Sequence, residues 1–283
     1  MADIALTGAT GTVGGMAARL LADAGVPMRL LVRDLSRAPD LPGAEVRRAE
    51  YGGDACRAAL TGVDTALMVS THESSDRLEV HRAFVQAAVD AGVRQVVYLS
   101  FVGAGDGAGF LLARDHGATE KIIRDSSLAF TFLRDNFYAE AIAGFAGDDG
   151  ALRGPAGDGR VASVSQRDVA AVAAHILADP RTHEGRSYDL TGPESLTLGQ
   201  IAATLTEVTG RPHRFVDETM DEARASRAVY DAPAWLVDAW ISTYTAIRDG
   251  ELERVSDAVP TLLGRPAMSF AEAMRAAAAG HTP

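Results

Sequence analysis

Three glycines spaced three residues apart follow the first apolar segment and restrict the fold of this chain more than any other feature. Residues 3–15 read DIALTGATGTVGG, so a short strand, Ile4–Leu6, runs into a turn and then into an amphipathic helix. In this context Gly8 permits the tight turn, Gly11 permits close approach of a ligand to the backbone, and Gly14 permits the helix to pack on the strand.

Such a turn presents backbone N–H groups and the positive end of a helix dipole at the carboxyl end of a strand, where a pyrophosphate binds. The spacing is G-x-x-G-x-x-G rather than the commoner G-x-G-x-x-G, and a glycine triplet alone also fits an ordinary tight turn. Its place between a strand and a helix favours a dinucleotide site over that alternative. The predicted cofactor-binding residues of this turn are Gly8, Thr10, Gly11, Thr12, Val13 and Gly14.

Composition excludes several classes of function. The formal net charge of −11 argues against nonspecific binding to nucleic acid or to an anionic membrane. Cys56 is the single cysteine, so no intramolecular disulfide can form, and we expect a cytoplasmic location. A start that runs through Asp3 into a strand is not typical of a signal peptide, and no long uncharged apolar run predicts a membrane span.

Apolar runs alternate with helical patterns through the first half of the chain. The predicted strands are Ile4–Thr7, Met28–Arg33, Ala44–Ala49, Thr65–Ser70, Gln95–Ser100 and Ala129–Arg134, with helices near 13–24, 54–60, 74–91, 116–126 and 137–145. This alternation predicts an α/β fold of the Rossmann type, with a doubly wound parallel sheet. We expect a dinucleotide-binding domain over residues 1–150 and a smaller, mostly helical substrate-binding lobe over 151–283, partly interleaved with the first.

The second half carries helix-start signals and short apolar segments. Capping-box patterns at Ser165, Thr197 and Ser269 predict three helices. Short strands are predicted near Val161–Val164, Ser187–Leu190 and Arg214–Val216. The aromatic side chains Phe137, Tyr138, Trp235, Trp240 and Tyr244 are candidates for the wall of a flat-substrate pocket, although for the two tryptophans we favour packing in the core.

The end of the second predicted strand distinguishes between the two nicotinamide dinucleotides. Arg33 stands where NAD-binding proteins usually carry an acidic residue, and its guanidinium could bind a 2′-phosphate, with Arg37 close behind. Asp34 keeps NAD(H) open, because a carboxylate there could bind the ribose hydroxyls. A solvated surface is the other interpretation of the two arginines. We favour NADP(H) over NAD(H).

The assembled motifs resemble the NmrA-like branch of the atypical short-chain dehydrogenases/reductases, and within it the bacterial NADPH:quinone oxidoreductases. The resemblance spans nearly the whole chain and rests on the segments GATGTVG from Gly8, EYG from Glu50, YLS from Tyr98 and TFLRDNFY from Thr131. It implies a Rossmann fold with a small C-terminal lobe. It also implies that Asn136, Phe137 and Tyr138 lie by the nicotinamide and that Ser70 and Thr71 lie along the cofactor.

One familiar element of reductase chemistry is absent from this chain. Most short-chain dehydrogenases use a Tyr-x-x-x-Lys pair to pass a proton to a carbonyl. The only lysine is Lys121, and Gly117 precedes it by four positions; the family-like alignment instead places Leu112 and His116 at the two sites. The candidates for proton donor or orienting residue are therefore His116, Tyr138 and His72, with Ser100 as a hydrogen-bonding partner of the substrate.

We therefore expect an NADPH-dependent oxidoreductase that passes hydride to a quinone-like or polycyclic aromatic substrate, since such an electrophile needs little acid assistance. Two alternatives stay open: a tailoring oxidoreductase or monooxygenase acting on a polyketide quinone, and a non-catalytic NAD(P)-sensing regulator. The sequence predicts no metal site, because no H-E-x-x-H pattern occurs. The expected partner is a small molecule, with neither nucleic acid nor membrane, and a homodimer is an open option.

Overall fold

The protein is described by a computed structural model over residues 3–279. The strands are β1 Ile4–Leu6, β2 Met28–Val32, β3 Ala44–Arg48, β4 Thr65–Met68, β5 Gln95–Phe101, β6 Ala129–Asp135, β7 Ala151–Gly154, β8 Arg160–Val161, β9 Arg186–Leu190, β10 Leu196–Thr197 and β11 Arg214–Asp217. The α-helices are α1 Thr12–Asp23, α2 Gly53–Leu60, α3 Arg77–Asp90, α4 Leu111–Arg124, α5 Ala139–Gly144, α6 Gln166–Ala178, α7 Leu198–Thr209, α8 Met220–Arg227, α9 Ala234–Arg248, α10 Ala258–Leu263 and α11 Phe270–Ala279.

Seven strands form the main sheet in the order β3-β2-β1-β4-β5-β6-β9. The pairs from β3 to β5 are parallel, and Leu6 of β1 lies between Leu30 of β2 and Leu67 of β4. Continuous apolar runs such as β2 and β4 are buried throughout, as expected for strands covered on both faces. The predicted Rossmann-type fold is confirmed, and the strand order reverses beside β1, where such sheets bind their ligands.

Two compact units divide the chain. Among the described residues, unit 1 contains 3–100, 115–134 and 169–188, and unit 2 contains 101–114, 135–168 and 189–279. Each unit has an apolar core of its own, around Tyr98 and Phe132 in unit 1 and around Tyr244 and Phe270 in unit 2. The units interleave along the chain, and the division into domains at residue 150 stays a prediction.

The structure adds one detail to the second half and corrects another. The segment near Ser187–Leu190 forms β9, the seventh strand of the main sheet. Reciprocal capping boxes form at Thr197 and Ser269 as predicted, but the box at Ser165 is wrong. The carboxylate of Asp168 does not accept from the amide of Ser165. It accepts instead from the amide of Met268 at 2.7 Å, in a loop far along the chain.

The turn between β1 and α1 depends on close backbone contact. Gly8 has a φ of +69°, which favours glycine, and its carbonyl oxygen accepts from the amide of Gly11 at 2.9 Å. A Cβ on Gly14 would stand 2.4 Å from the Gly8 carbonyl oxygen. The first turn of α1 therefore packs directly against the end of β1, and only glycine fits at position 14.

Replacing Gly14 by Ala should lower the free energy of unfolding by about 1–3 kcal/mol, because the methyl group forces the helix away from the turn. Gly107→Ala is the control, since a Cβ there meets nothing within 4 Å, and it should change stability by less than about 0.5 kcal/mol. Urea denaturation of both variants measures the difference. Equal stability of the two variants would contradict the packing argument.

Candidate functional site

A cavity of about 430 Å³ lies in unit 1 at the carboxyl ends of β1, β2, β3 and β4. It brings together five of the sequence-predicted cofactor residues and His72, although they come from distant parts of the chain. Lining residues are Thr7, Gly8, Thr10, Arg33, Glu50, Tyr51, Val69, Ser70, Thr71, His72, Ser74 and Asp76, together with the apolar residues Leu31, Val32, Ala49, Cys56 and Val80.

One side of the cavity is the turn that leads into α1. Thr10, Gly11 and Thr12 are exposed, whereas Val13 and Gly14 are buried. Gly11 occupies the N-cap position and provides no side-chain capping hydrogen bond. Because the first amides of a helix have no acceptor within it, they are available to an anion. The turn and the first amides of α1 therefore form a site that fits a diphosphate.

The end of β2 supplies a cation to the same cavity. Arg33 is exposed and lines the cavity, and within residues 3–279 its guanidinium makes no ion pair. The carboxylate of Asp34 accepts hydrogen bonds from the amide and the hydroxyl of Ser36, and these bonds lower the pKa of Asp34. Asp34 is thus engaged in capping its own turn, whereas the guanidinium beside it is available to a phosphate.

Sequence reasoning missed the hydrogen-bonded wall formed by Thr7 and Tyr51. The Thr7 hydroxyl donates to the carbonyl of Leu67 at 3.0 Å and accepts from the amide of Val69 at 2.9 Å. The Tyr51 hydroxyl lies 2.7 Å from the Thr7 hydroxyl and donates to the carbonyl of Val69. Burial holds the pKa of Tyr51 above its usual value, so this phenol stays protonated. In the sequence, the EYG segment from Glu50 supports the family resemblance but assigns no role to Tyr51.

His116 and Ser100, two of the predicted catalytic residues, are buried in unit 1. The Nδ1 atom of His116 lies 3.0 Å from the Tyr98 hydroxyl, and burial holds the pKa of this imidazole well below its usual value. The Ser100 hydroxyl donates to the carboxylate of Glu120 at 2.7 Å. Among the described residues, neither side chain lines the unit 1 cavity. Their catalytic roles stay predictions.

The segment after β6 belongs to unit 2. Asn136 is buried, its side-chain amide donates to the carbonyl of Leu252 at 3.0 Å, and its side-chain oxygen accepts from the amide of Phe137 at 2.8 Å. The Phe137 ring packs edge-on against Phe101 and Phe110, each with centroids 5.0 Å away. These contacts hold the segment rigidly, while the predicted placement of Asn136 and Phe137 by the nicotinamide stays a prediction.

Tyr138 is paired with a carboxyl group that sequence reasoning missed. Its hydroxyl donates to the carboxyl group of Asp135, the last residue of β6. Burial raises the pKa of Asp135 from 3.8 to about 7, and it also raises the pKa of Tyr138 well above its usual value. Asp135 can therefore gain or lose a proton near neutral pH, whereas the phenol keeps its own proton.

A second cavity, of about 620 Å³, lies within unit 2. Four aromatic side chains line it, Phe145, Tyr230, Trp240 and Tyr244, together with Thr243 and Arg227. The preference for core packing of the tryptophans is therefore wrong: Trp240 lines a cavity, and Trp235 is 41% exposed. Large apolar rings left around an open volume are typical of a site for a flat apolar ligand.

Residues 3–279 contain no cluster of three or more His, Cys, Asp or Glu side chains arranged to hold a metal ion. Nor does any helix in this part of the chain combine the length and apolar character needed to cross a membrane.

Comparison with known proteins identifies the family. The NAD(P)H-binding family profile matches residues 8–180. The chain belongs to this NAD(P)H-binding family, in the NmrA-like branch of the atypical short-chain dehydrogenases/reductases. It is 34% identical to an NAD(P)H azoreductase of Xenophilus azovorans over 98% of each chain. It is also 34% identical to quinone oxidoreductase 2 of Escherichia coli over 96% of this chain and 97% of that relative.

Solved structures agree with this assignment. The NADPH complex of the Escherichia coli quinone oxidoreductase matches with a TM-score of 0.87, covering 97% of this chain and 99% of that one. The triphenylmethane reductase of Citrobacter sp. with NADP(H) is 29% identical and matches with a TM-score of 0.84 over the same shares. The predicted family is confirmed, as is the prediction of an NAD(P)H-dependent oxidoreductase.

The raised pKa of Asp135 has a consequence for stability. Between pH 4 and pH 7, on the order of three pH units, the folded protein holds a proton on Asp135 that the unfolded chain has lost, so the stability contributed by this group falls as the pH rises. Since Asn cannot titrate, Asp135→Asn should become more stable relative to the parent over this window, by on the order of a few kcal/mol. Urea denaturation at several pH values measures it.

Asp149→Asn is the matched control, because ion pairs with Arg153 and Arg214 lower the pKa of Asp149. The stability that Asp149 contributes is lost only as the pH falls below the usual pKa of an aspartate, which is about 4. Above about pH 5, this variant should therefore show a constant difference in stability from the parent. A constant difference for Asp135→Asn as well would contradict the assignment of a raised pKa.

Proposed function

We propose that this protein is an NADPH-dependent reductase of quinone-like or other planar aromatic compounds. The observation that carries the proposal is the unit 1 cavity, which Gly8 and Thr10 of the turn before α1 line together with Arg33. The uncapped start of α1 follows directly after that turn. When bound, the dinucleotide supplies a hydride to the substrate. The remaining steps belong to side chains of this chain.

Arg33 is the residue proposed to select NADPH over NADH. Its guanidinium makes no ion pair within residues 3–279, so a 2′-phosphate would gain a charge-assisted hydrogen bond without competition. The amides of Thr12, Val13 and Gly14 are proposed to hold the diphosphate at the start of α1. Thr10, Ser70 and Thr71, which line the same cavity, are proposed as further contacts.

The proposed proton source is the pair of Asp135 and Tyr138. Tyr138 passes its phenolic proton to the substrate oxygen as protonated Asp135 replaces it, which leaves Asp135 as the carboxylate that accepts from Tyr138. Reduction of a quinone to a hydroquinone takes up one hydride and one proton, and a carboxyl group with a pKa of about 7 can supply that proton at neutral pH. A phenol and a carboxyl group thus replace the absent Tyr-x-x-x-Lys pair. The dihydroxy product is an aromatic ring, which lowers the need for strong acid assistance.

The aromatic cavity of unit 2 supports the substrate class. Its volume of about 620 Å³ suits a molecule of two to three fused rings, and Thr243 offers a hydroxyl among the rings. Relatives are named for the reduction of azo, quinone and triphenylmethane compounds, all of which carry conjugated rings. A cytoplasmic location and a homodimer stay predictions of the same proposal.

Replacing Arg33 by Ala should weaken NADPH binding by about 10- to 100-fold and NADH binding by less than about threefold, because only NADPH carries the 2′-phosphate. Arg37→Ala is the matched control, since Arg37 is equally exposed but lies outside the cavity lining. Calorimetric titration of each nucleotide measures the effect. Equal losses for NADPH and NADH would refute the role of this side chain.

Turnover is tested by anaerobic oxidation of NADPH with a panel of quinones, azo dyes and triphenylmethane dyes. Trp240→Ala should raise the KM for the active aromatic substrates by about tenfold, because a stacking wall is lost. Trp235→Ala, which alters an exposed ring outside the cavity, should leave KM within about twofold. Tight NADPH binding without turnover of any compound would overturn the reductase proposal and favour a sensing role.

A further inference from the structure

Two buried histidines of unit 1 lie directly behind residues 70 and 71 of the dinucleotide cavity. His81 is fully buried in α3, and its Nε2 atom lies 3.1 Å from the amide nitrogen of Thr71. His116 in α4 is connected to Ser70 through the buried phenol of Tyr98. Neither contact was foreseen from the sequence, because each joins residues from different elements.

The donors around His116 determine its tautomer. Arg77 lies 3.1 Å from Nε2 of His116, and because a guanidinium can only donate, this nitrogen must accept. A neutral imidazole that accepts at Nε2 carries its hydrogen on Nδ1, so it donates to the Tyr98 hydroxyl at 3.0 Å. Tyr98 then donates to the Ser70 oxygen at 3.1 Å, and Ser70 donates to the carbonyl of Leu99 at 3.2 Å.

The same reasoning determines the tautomer of His81. The amide of Thr71 can only donate, so Nε2 of His81 accepts, and the Thr71 hydroxyl lies 3.3 Å from the same nitrogen. Nδ1 then carries the hydrogen and donates to the Thr119 hydroxyl at 2.8 Å, which itself donates to the carbonyl of Asp115 at 2.8 Å. Burial lowers the pKa of His81 to about 3, in keeping with a neutral ring.

These assignments leave the Ser70 hydroxyl with an oxygen lone pair for a ligand, because its hydrogen is used on the carbonyl of Leu99. The Thr71 hydroxyl shares the single lone pair of His81 Nε2 with the Thr71 amide, in a three-centre hydrogen bond that leaves its oxygen as an acceptor. We propose that His81 and His116 are positioning residues, which hold Ser70 and Thr71 as hydrogen-bond acceptors for donor groups of the nucleotide. The ribose hydroxyls and the carboxamide NH₂ can donate hydrogen bonds to these oxygens, whereas a phosphate oxygen can only accept and would be repelled. The inference rests on the proposed dinucleotide site.

The tautomers are tested on the unmodified protein by two-bond ¹H–¹⁵N correlation spectroscopy of labelled histidines. Both rings should be neutral, carry the hydrogen on Nδ1 and show no titration between about pH 5.5 and 8. The charged groups around the pair are Arg77, its ion-pair partner Asp115 at 3.6 Å, and Glu120. A hydrogen on Nε2 of either ring, or titration of either within this range, would overturn the proposal even if NADPH binds.

Paired substitutions at His81 separate positioning from packing. Gln can place an acceptor near the position of Nε2, whereas Leu fills the space without one. His81→Leu should weaken NADPH binding about fivefold, and His81→Gln should restore it to within about twofold, with kcat at saturating NADPH similar in both. If His81 only fills space, His81→Leu should bind NADPH more tightly than His81→Gln, and that result would overturn the proposal. His183→Leu alters a histidine away from the cavity and should leave NADPH binding unchanged.

Ser70→Ala identifies which group of the nucleotide donates a hydrogen bond to the Ser70 oxygen. The probes are NADP⁺ and its 3-acetylpyridine analogue, in which a methyl group replaces the carboxamide NH₂. If the carboxamide donates, the parent prefers NADP⁺ about fivefold and Ser70→Ala removes that preference. If the ribose hydroxyls donate, Ser70→Ala weakens both probes equally. Unchanged binding of both probes would overturn the proposal, whereas failure of the parent to bind either would overturn the proposed function instead.

Discussion

The backbone contact between Gly14 and Gly8 is the constraint on which the candidate site depends. Without a Cβ at position 14, α1 begins directly on the turn after β1. A Cβ there would stand 2.4 Å from the Gly8 carbonyl oxygen, which is too close for any other residue. This contact directs the uncapped amides of the helix start to the end of β1, where the strand order reverses. In the proposed function, the diphosphate is therefore held by backbone amides that this packing positions rather than by charged side chains.

Local patterning predicted much of the fold. The strands β1 to β6 lie within one or two residues of their predicted limits, because all but the charged β3 are mainly apolar segments. Helix α4 begins at Leu111 rather than at residue 116, since its first turn is apolar and resembles the preceding loop. The sequence did not predict that β9 joins the main sheet, because the partner of a short strand is set by topology and not by its own residues.

The candidate site was predictable only where a single segment creates it. The glycine turn and Arg33 could be found from spacing alone, and the structure brings them to one cavity. Asp135 was missed because its pKa depends on burial and on the hydroxyl of Tyr138, neither of which a sequence displays. The histidine contacts behind Ser70 and Thr71 were missed for the same reason: they join β4, β5, α3 and α4.

The most direct measurement of the central claim is a crystal structure of the protein with NADPH bound. The account predicts diphosphate oxygens within hydrogen-bond distance, about 3 Å, of the amides of Thr12 and Val13, and the 2′-phosphate equally close to the guanidinium of Arg33. A diphosphate held elsewhere, or a 2′-phosphate turned away from Arg33 into solvent, would contradict it.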